Sequence, residues 1–159
     1  MCGRYTLFQL ADLNLTFPWI APPDEAYPRF NIAPTQPVLA ATNRPEPKFV
    51  HLYWGLVPSW ARDVSVGSRM VNARAETLAE KPAFRRALLR RRCLLPADGF
   101  YEWRREPDGR TRTPIYVRLK DRHAFGLAGL WETWQDAHGN ELDSCTVITT
   151  SSNELMKPV

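Results

Sequence analysis

The second residue, Cys2, would present two nucleophiles once Met1 is removed: an α-amine and a thiol, two carbon atoms apart. The reference pKa of an α-amine is about 7.7–8.0, so on the order of 10–20% of it is neutral near pH 7. A neutral amine attacks an aldehyde to give an imine, and the adjacent thiolate can then close a five-membered thiazolidine ring, which proximity favours. The positive charge of Arg4 would promote the thiolate. Position alone favours an uninvolved cysteine at a chain end, so other residues must support this chemistry.

Two further segments carry polar groups suited to such a site. In Asn72-Ala73-Arg74, the amide of Asn72 can orient an amine or hydroxyl, and the guanidinium of Arg74 can bind a phosphate. Asn72 as the N-cap of a helix is an equally good interpretation. Glu102 follows an apolar run and has aromatic neighbours, and a carboxylate in such surroundings is suited to moving protons near neutrality. An outward-facing strand residue is the simpler alternative for Glu102, and Cys93 is expected to pack in the core.

The basic residues suggest a nucleic-acid partner without requiring one. The net charge is +4, and most of the cations are arginines, which make bidentate phosphate contacts and stack on bases. Trp60 follows Pro58 in a predicted loop, where an aromatic ring can stack on an unpaired base. Asn31-Ile32-Ala33-Pro34 is another loop that could shape a groove. For the basic run of Arg85, Arg86, Arg90, Arg91 and Arg92, we prefer a solvated helix face to a phosphate-binding track.

Composition limits the other classes of function. The chain has 159 residues, enough for one domain with its own core. Its cysteines, an odd number of 3, lack metal-ligand spacing and indicate free thiols in a reducing compartment. We find neither a secretory signal nor the roughly 18 consecutive apolar residues of a membrane span. We therefore expect a cytoplasmic monomer without metal, cofactor or membrane segment.

The elements that must position these residues are short. We predict a helix over residues 6–15 with Thr6 as its cap, a proline-rich loop over 18–36, and a second helix opened by Pro82. The predicted strand runs are Pro37 to Thr42, Phe49 to Val57, Cys93 to Trp103, Pro114 to Leu119, Phe125 to Trp134 and Cys145 to Thr150. Hairpin turns are expected at Asp108-Gly109 and His138-Gly139-Asn140. This order favours an α+β fold whose mainly antiparallel sheet curls into a barrel-like core flanked by short helices.

Several segments, taken together, resemble one known family. They are Met1-Cys2-Gly3-Arg4-Tyr5, Asn31-Ile32-Ala33-Pro34, Trp54-Gly55-Leu56-Val57-Pro58, Asn72-Ala73-Arg74-Ala75-Glu76-Thr77, Arg92-Cys93 with Pro96-Ala97-Asp98-Gly99-Phe100-Tyr101-Glu102-Trp103, and Ala128-Gly129-Leu130-Trp131. In this order they resemble the SRAP family (SOS response-associated peptidase). The resemblance implies a barrel-like sheet flanked by helices, and a sensor of abasic sites in single-stranded DNA.

The resemblance also implies roles for individual residues. Met1 would be removed by self-processing, and Cys2 would form a thiazolidine cross-link with the ring-opened sugar of the abasic site. Asn72 would hold the reacting N-terminus and sugar. Glu102 would move protons as the imine forms and reverses.

Contacts to the DNA strand are implied as well. Arg4 and Arg74 would contact phosphates. Asn31, Pro34 and Trp60 would line the site where the DNA turns sharply. The protein would then be nucleoid-associated while bound to DNA.

The end of the sequence departs from the family pattern. That pattern continues into a histidine followed by Arg-Met-Pro, whereas this sequence ends at Lys157-Pro158-Val159. We therefore expect one domain over residues 1–159, truncated at its C-terminus. Cross-linking is expected to be slow if that histidine is an acid–base group.

Three other functions fit parts of the same pattern. A cysteine peptidase acting on other proteins through Cys2 needs a partnered histidine, and His51, His123 and His138 have no convincing placement. A non-covalent single-strand binder would need only arginines and stacked aromatic rings. A lyase would take the same imine on to β-elimination and strand cleavage.

Overall fold

Strands dominate the computed structural model, which describes residues 3–157. Short 3-10 segments cover Leu10–Asp12, Val64–Arg69 and Ala75–Thr77. The strands and α-helices are, in chain order, β1 (Arg4–Leu7), α1 (Leu13–Thr16), β2 (Arg29–Ile32), β3 (Pro37–Thr42), β4 (Phe49–Trp54), β5 (Asn72–Arg74), α2 (Pro82–Arg90), β6 (Arg92–Ala97), β7 (Gly99–Arg105), β8 (Arg112–Val117), β9 (Phe125–Gln135) and β10 (Glu141–Thr149). None of the helices between residues 3 and 157 has the length and apolar character needed to cross a membrane.

A closed barrel forms the centre of the fold. Strands β4, β3, β6, β9 and β10 follow one another, and β10 returns to pair with β4. The closing pair is parallel, with Ser144 opposite Tyr53, while the neighbouring pairs round the barrel are antiparallel. Beyond this contact β10 pairs in parallel with β5, where Val147 lies opposite Asn72. The last strand therefore joins the barrel wall to the segment that carries Asn72 and Arg74.

A second sheet packs beside the barrel in the order β2-β1-β7-β8. Its inner face contributes Tyr5 and Ile32 to the main core, and the ring of Tyr5 meets that of Trp54 edge-on at 5.3 Å between centroids. A smaller core lies under α2, where Phe84 and Ala87 pack with Leu130. The predicted α+β fold with a barrel-like, mainly antiparallel sheet and short flanking helices is confirmed.

Most of the predicted elements are present with shifted ends. Residues 37–42 form β3 with the predicted bounds, and α2 begins at Pro82 as its first helical residue. The run from Cys93 to Trp103 is two strands in different sheets, because the chain leaves the barrel at Asp98. Both predicted hairpin turns are confirmed, with Gly109 and Gly139 at φ +67 and +87.

Two predictions near the N-terminus are wrong. The predicted helix over 6–15 is a strand followed by a 3-10 turn and the short helix α1, and Thr6 lies in the strand. The predicted loop over 18–36 contains β2. Both errors have the same cause. Strand β1 is held by pairing with β7 and β2, and the local spacing of leucines gives no information about these pairings.

A buried carboxylate fixes the end of β1. Asp98, 1% exposed, accepts hydrogen bonds from the hydroxyl of Thr6 and from the backbone N–H groups of Phe8 and Gln9, the latter two at 2.5 and 2.9 Å. The N–H of Asp98 donates to the Thr6 carbonyl at 3.0 Å. Buried polar groups are stable when paired in this way, so Asp98 ties the N-terminal strand to the turn between the sheets.

Candidate active site

An open cavity of about 520 Å³ lies between the two sheets. One wall comes from β7 and β9, through Phe100, Glu102 and Leu127. The opposite wall comes from the end of β5, from β10 and from the segment after it. Its residues are Arg74, Val147, Ile148, Thr149, Thr150, Ser151, Ser152, Asn153 and Met156. Two of the predicted site residues, Glu102 and Arg74, thus share one cavity although they belong to different sheets.

The register of β5 and β10 explains which side chains face this cavity. Asn72, Ala73 and Arg74 lie opposite Val147, Ile148 and Thr149. Ala73 belongs to the core under α2. Because successive side chains of a strand alternate between faces, Asn72 shares the other face with Arg74, although Asn72 itself is not among the residues that line the cavity. This corrects the alternative of Asn72 as a helix N-cap, since the residue belongs to β5.

Glu102 is placed by the same alternation in β7. Phe100 pairs with the buried Tyr5 and packs against the main core, so Glu102, two residues on, faces the same interior side. Glu102 is partly buried and lines the cavity. The alternative of an outward-facing glutamate is therefore wrong.

The N-terminal strand runs beside Glu102. Arg4 lies opposite Tyr101 in the antiparallel pairing of β1 with β7. If this register is extended by one residue, Gly3, the first described residue, comes next to Glu102. Cys2 lies outside the described residues.

Arg4 and Asn31 are brought together. The Arg4 Nη1 donates to Asn31 Oδ1 at 2.7 Å, joining β1 to the edge strand β2. Pro34 follows at the turn into β3, where the N–H of Thr35 donates to the Trp54 carbonyl at 2.8 Å. This turn is anchored to the barrel next to the Arg4 strand, although neither Asn31 nor Pro34 lines the cavity.

Trp60 is an exposed aromatic residue on an anchored loop. Its side chain is 63% exposed and is not part of the cavity wall. The carbonyl of the next residue, Ala61, accepts a hydrogen bond from the indole of Trp134 at 2.7 Å. The loop is thereby attached to β9 while the ring of Trp60 stays available for stacking.

An acidic residue that the sequence reasoning did not select organises one rim of the cavity. Glu76 pairs through Oε2 with Arg74 Nε at 3.2 Å. Its Oε1 accepts from the Thr150 hydroxyl and the Ser151 N–H at 3.0 and 3.1 Å. Its own backbone N–H, and then the Thr150 hydroxyl, lower the pKa of Glu76 to about 2. Glu76 is therefore ionised at neutral pH.

The wall made by residues 149–153 was also missed. It consists of Thr149, Thr150, Ser151, Ser152 and Asn153, which together offer hydroxyl and amide groups. The available signal was this polar run directly after an apolar strand. Its relevance depends on the parallel pairing of β10 with β5, which spacing along the chain does not reveal.

The buried thiols are poor nucleophiles. Burial raises the pKa of the Cys93 thiol to about 12. Burial, with a smaller effect of Cys93, raises the pKa of Cys145 well above its ordinary value. Because the thiolate is the reactive form, neither residue is suited to attack at neutral pH. The prediction that Cys93 packs in the core is confirmed.

The histidines lie away from the cavity. His51, His123 and His138 are exposed and are absent from its lining, and His123 contacts Asp12 at 3.3 Å. Within residues 3–157 no group of three or more His, Cys, Asp or Glu side chains is arranged to hold a metal ion. In the described part of the chain, the charged groups that line the cavity are the carboxylate of Glu102 and the guanidinium of Arg74.

The basic run divides into two parts. Arg85, Arg86 and Arg90 are exposed on α2, as a solvated helix face requires. Arg91 instead pairs with the buried Glu132 and lies 5.5 Å from the ring centroid of Trp131, which Arg44 covers at 4.4 Å. Arg91 thus supports the barrel wall.

These features define a class of protein: a small α+β barrel whose open side cavity joins a carboxylate and an arginine near the N-terminal strand. The chain belongs to the SOS response associated peptidase (SRAP) family, whose model matches residues 1–159. It is 45% identical to the abasic site processing protein YoqW of Bacillus subtilis over 163 residues, covering 100% of this chain and 72% of that protein.

Two further comparisons agree. The abasic site processing protein YoaM of Bacillus subtilis is 45% identical over 163 residues, with 100% of this chain and 71% of YoaM covered. A crystal structure of a protein from Bacteroides thetaiotaomicron superposes with a TM-score of 0.85 at 27% identity, covering 99% of this chain and 72% of that one. Both the sequence and the barrel are therefore shared with this family.

Proposed function

We propose that this protein recognises abasic sites in single-stranded DNA and captures them covalently through Cys2 after removing its own Met1. The observation that carries the proposal is the cavity beside the N-terminal strand, which is lined by Glu102 from one sheet and by Arg74 from the other. The relatives YoqW and YoaM are named abasic site processing proteins, which supports this substrate.

The reaction is an addition followed by ring closure. The Cys2 amine adds to the aldehyde carbon of the ring-opened sugar, and loss of one water gives an imine. The Cys2 sulfur then adds to the imine carbon while the nitrogen takes a proton, which forms the thiazolidine. The adduct therefore has the mass of protein plus DNA minus water.

Glu102 is proposed to carry the protons. It accepts one from the attacking amine and returns one to the departing hydroxyl, as a general acid–base requires. Glu102 shares its cavity with Phe100 and Leu127, which supports this role, because partial exclusion of water strengthens electrostatic interactions between the carboxylate and the reacting groups. The Asn72 side chain, on the same face of β5 as Arg74, would hold the N-terminus and the sugar hydroxyl.

The DNA strand is proposed to follow the charged rim. Arg74 and Arg4 would contact phosphates on either side of the abasic sugar. Asn31, bonded to Arg4, and the anchored turn at Pro34 would shape the path. The exposed ring of Trp60 would stack on a neighbouring base, which requires an unpaired strand.

Covalent capture is tested by mixing the protein with a single strand that carries one abasic site. The expected product is a band that resists SDS, with an intact mass equal to protein without Met1 plus DNA minus water. Cys2→Ala should abolish the band, while the matched variant Cys93→Ala, which removes a buried thiol, should keep it. An undiminished band from Cys2→Ala would rule out the thiazolidine.

The same samples separate the competing functions. Cleaved DNA on a sequencing gel would indicate a lyase. Equal affinity for intact and abasic strands without an adduct would indicate a non-covalent binder. Hydrolysis of unrelated peptides would indicate a peptidase that acts on other proteins, for which none of the described histidines lines the cavity.

A further inference from the structure

Glu76 is an acidic residue on a rim where a DNA phosphate is proposed to bind, which is electrostatically unfavourable unless the carboxylate has a specific task. Its side chain is 42% exposed, and ion pairs of such exposure contribute little to stability. Yet each of its carboxylate oxygens is engaged. One holds Arg74, and the other holds Thr150 and Ser151.

The position of Glu76 in the fold explains this double contact. Strands β5 and β10 run in parallel up to the pair of Arg74 with Thr149 and end there. Glu76 lies two residues after the end of β5, and Thr150 and Ser151 directly follow β10. The Glu76 carboxylate therefore continues the connection between the two segments where the backbone pairing stops. The segment it holds is part of the cavity wall.

The geometry of the ion pair also orients the guanidinium. Glu76 contacts Arg74 through Nε. A contact through Nε occupies one edge of the planar guanidinium. The Nη hydrogens on its outer edge remain available to donate two parallel hydrogen bonds to a phosphate. An arginine held in this way loses less side-chain entropy on binding a phosphate.

We propose that Glu76 is a positioning residue, which holds the guanidinium of Arg74 and the Thr150–Ser151 wall in the arrangement that receives the sugar-phosphate. This inference rests on the proposed function, because it assigns the phosphate next to the abasic sugar to Arg74. It adds a residue that acts through others and does not touch the reacting atoms.

The direction in which DNA affinity changes when Glu76 is removed distinguishes a positioning residue from an acidic residue with no role in binding. Loss of an acid near a phosphate strengthens DNA binding by electrostatics alone, whereas loss of a positioning residue weakens it. The probe is a single strand with a tetrahydrofuran abasic analogue, which has no aldehyde and therefore reports binding without cross-linking. The matched control for Glu76→Gln is Glu80→Gln, which makes the same substitution at an exposed residue outside the cavity lining.

In fluorescence anisotropy, Glu76→Ala is expected to raise the Kd for this probe about three- to tenfold and to reduce the salt slope by about 0.7, the loss of one single-strand phosphate contact. Glu76→Gln, which keeps an acceptor for Thr150 and Ser151, should give a smaller rise. Glu80→Gln should leave the Kd unchanged or lower. In an Arg74→Ala background, Glu76→Ala should add little, because the two residues act as a unit.

Three results would overturn the role of Glu76. The first is unchanged or tighter binding by Glu76→Ala, and the second is a double variant whose rise in Kd equals the product of the rises from Glu76→Ala and Arg74→Ala. The third is binding by the wild type that does not depend on Arg74. A wild type that binds the analogue through Arg74 but forms no adduct with a true abasic site overturns the covalent function alone. A wild type that forms the adduct while Glu76→Ala binds normally overturns the inference alone.

Discussion

The indole N–H of Trp54 donates a hydrogen bond to the carbonyl oxygen of Val71 at 2.9 Å. The same oxygen accepts from the N–H of Val147 at 3.1 Å. The residue before Asn72 is thus held by two barrel strands, β4 and β10. A fully buried aromatic ring therefore helps to fix the start of strand β5.

Trp54→Phe is expected to destabilise the protein by about 2–4 kcal/mol, from the lost hydrogen bond and the space left in the core. Urea unfolding followed by circular dichroism measures the change. Trp19→Phe, at a 61% exposed site, is the control and should have a small effect. Equal stability of the two variants would show that the Trp54–Val71 bond is unimportant.

Asp98→Asn should be costly although the side chain keeps its size. The carboxylate accepts from Thr6 through one oxygen and from the N–H groups of Phe8 and Gln9 through the other, whereas an amide that keeps both N–H bonds turns its NH₂ towards the Thr6 hydroxyl, which must then accept. We expect a loss of about 2–3 kcal/mol, because the charge-assisted hydrogen bonds to the carboxylate become weaker neutral ones. Asp108→Asn in an exposed turn should be tolerated, and a similar loss there would contradict this explanation.

The carboxyl group of Glu76 should titrate far below an ordinary glutamate. Its backbone N–H and the Thr150 hydroxyl lower the pKa from 4.5 to about 2. Because the pKa in the folded state lies below the unfolded value, the ionised carboxylate stabilises the folded state above pH 4.5, and this contribution is lost as the pH falls towards 2. An NMR titration of the side-chain carbon should show the midpoint near pH 2, and the Ser151 N–H should shift with it. A midpoint near 4.5 would mean that the contacts are absent in solution.

The buried thiol of Cys93 should make stability depend on alkaline pH. Burial raises its pKa from 9.0 to about 12, so the folded state keeps a proton that the unfolded chain releases. Stability is therefore full below pH 9 and falls as the pH rises towards 12, by up to about 1.4 kcal/mol per pH unit for one thiol. The difference in unfolding free energy between wild type and Cys93→Ala isolates this effect. A difference that stays constant from pH 8 to 10.5 would contradict it.

Local patterns predicted helix α2 and most of the barrel strands. Pro82 opens α2 and the apolar spacing of Phe84 and Ala87 gives its buried face, so that helix was predictable. Alternation and β-branched residues predicted most barrel strands. Strand β1 was mistaken for a helix because the spacing of Leu7, Leu10 and Leu13 fits a helical face, whereas the partners on β7 that hold it as a strand lie more than 90 positions away, as Thr6 and Gly99 do.

The site could be predicted in part for a similar reason. Asn72, Arg74 and Glu102 were selectable by residue type and by resemblance to a known family. Glu76 lies in the same family-like segment as Asn72 and Arg74, but its importance depends on Thr150 and Ser151 being beside it in space. That proximity comes from a parallel pairing between distant strands, which sequence periodicity cannot indicate.

The parallel contact of β4 with β10 has a consequence for biosynthesis. The barrel closes through residues 141–149, so a growing chain carries β4 and β9 with unpaired edges until that stretch leaves the ribosome. Open strand edges invite pairing between chains, and contacts between distant segments form slowly. A chain that is released before residue 141 has been added would therefore expose both edges and tend to aggregate.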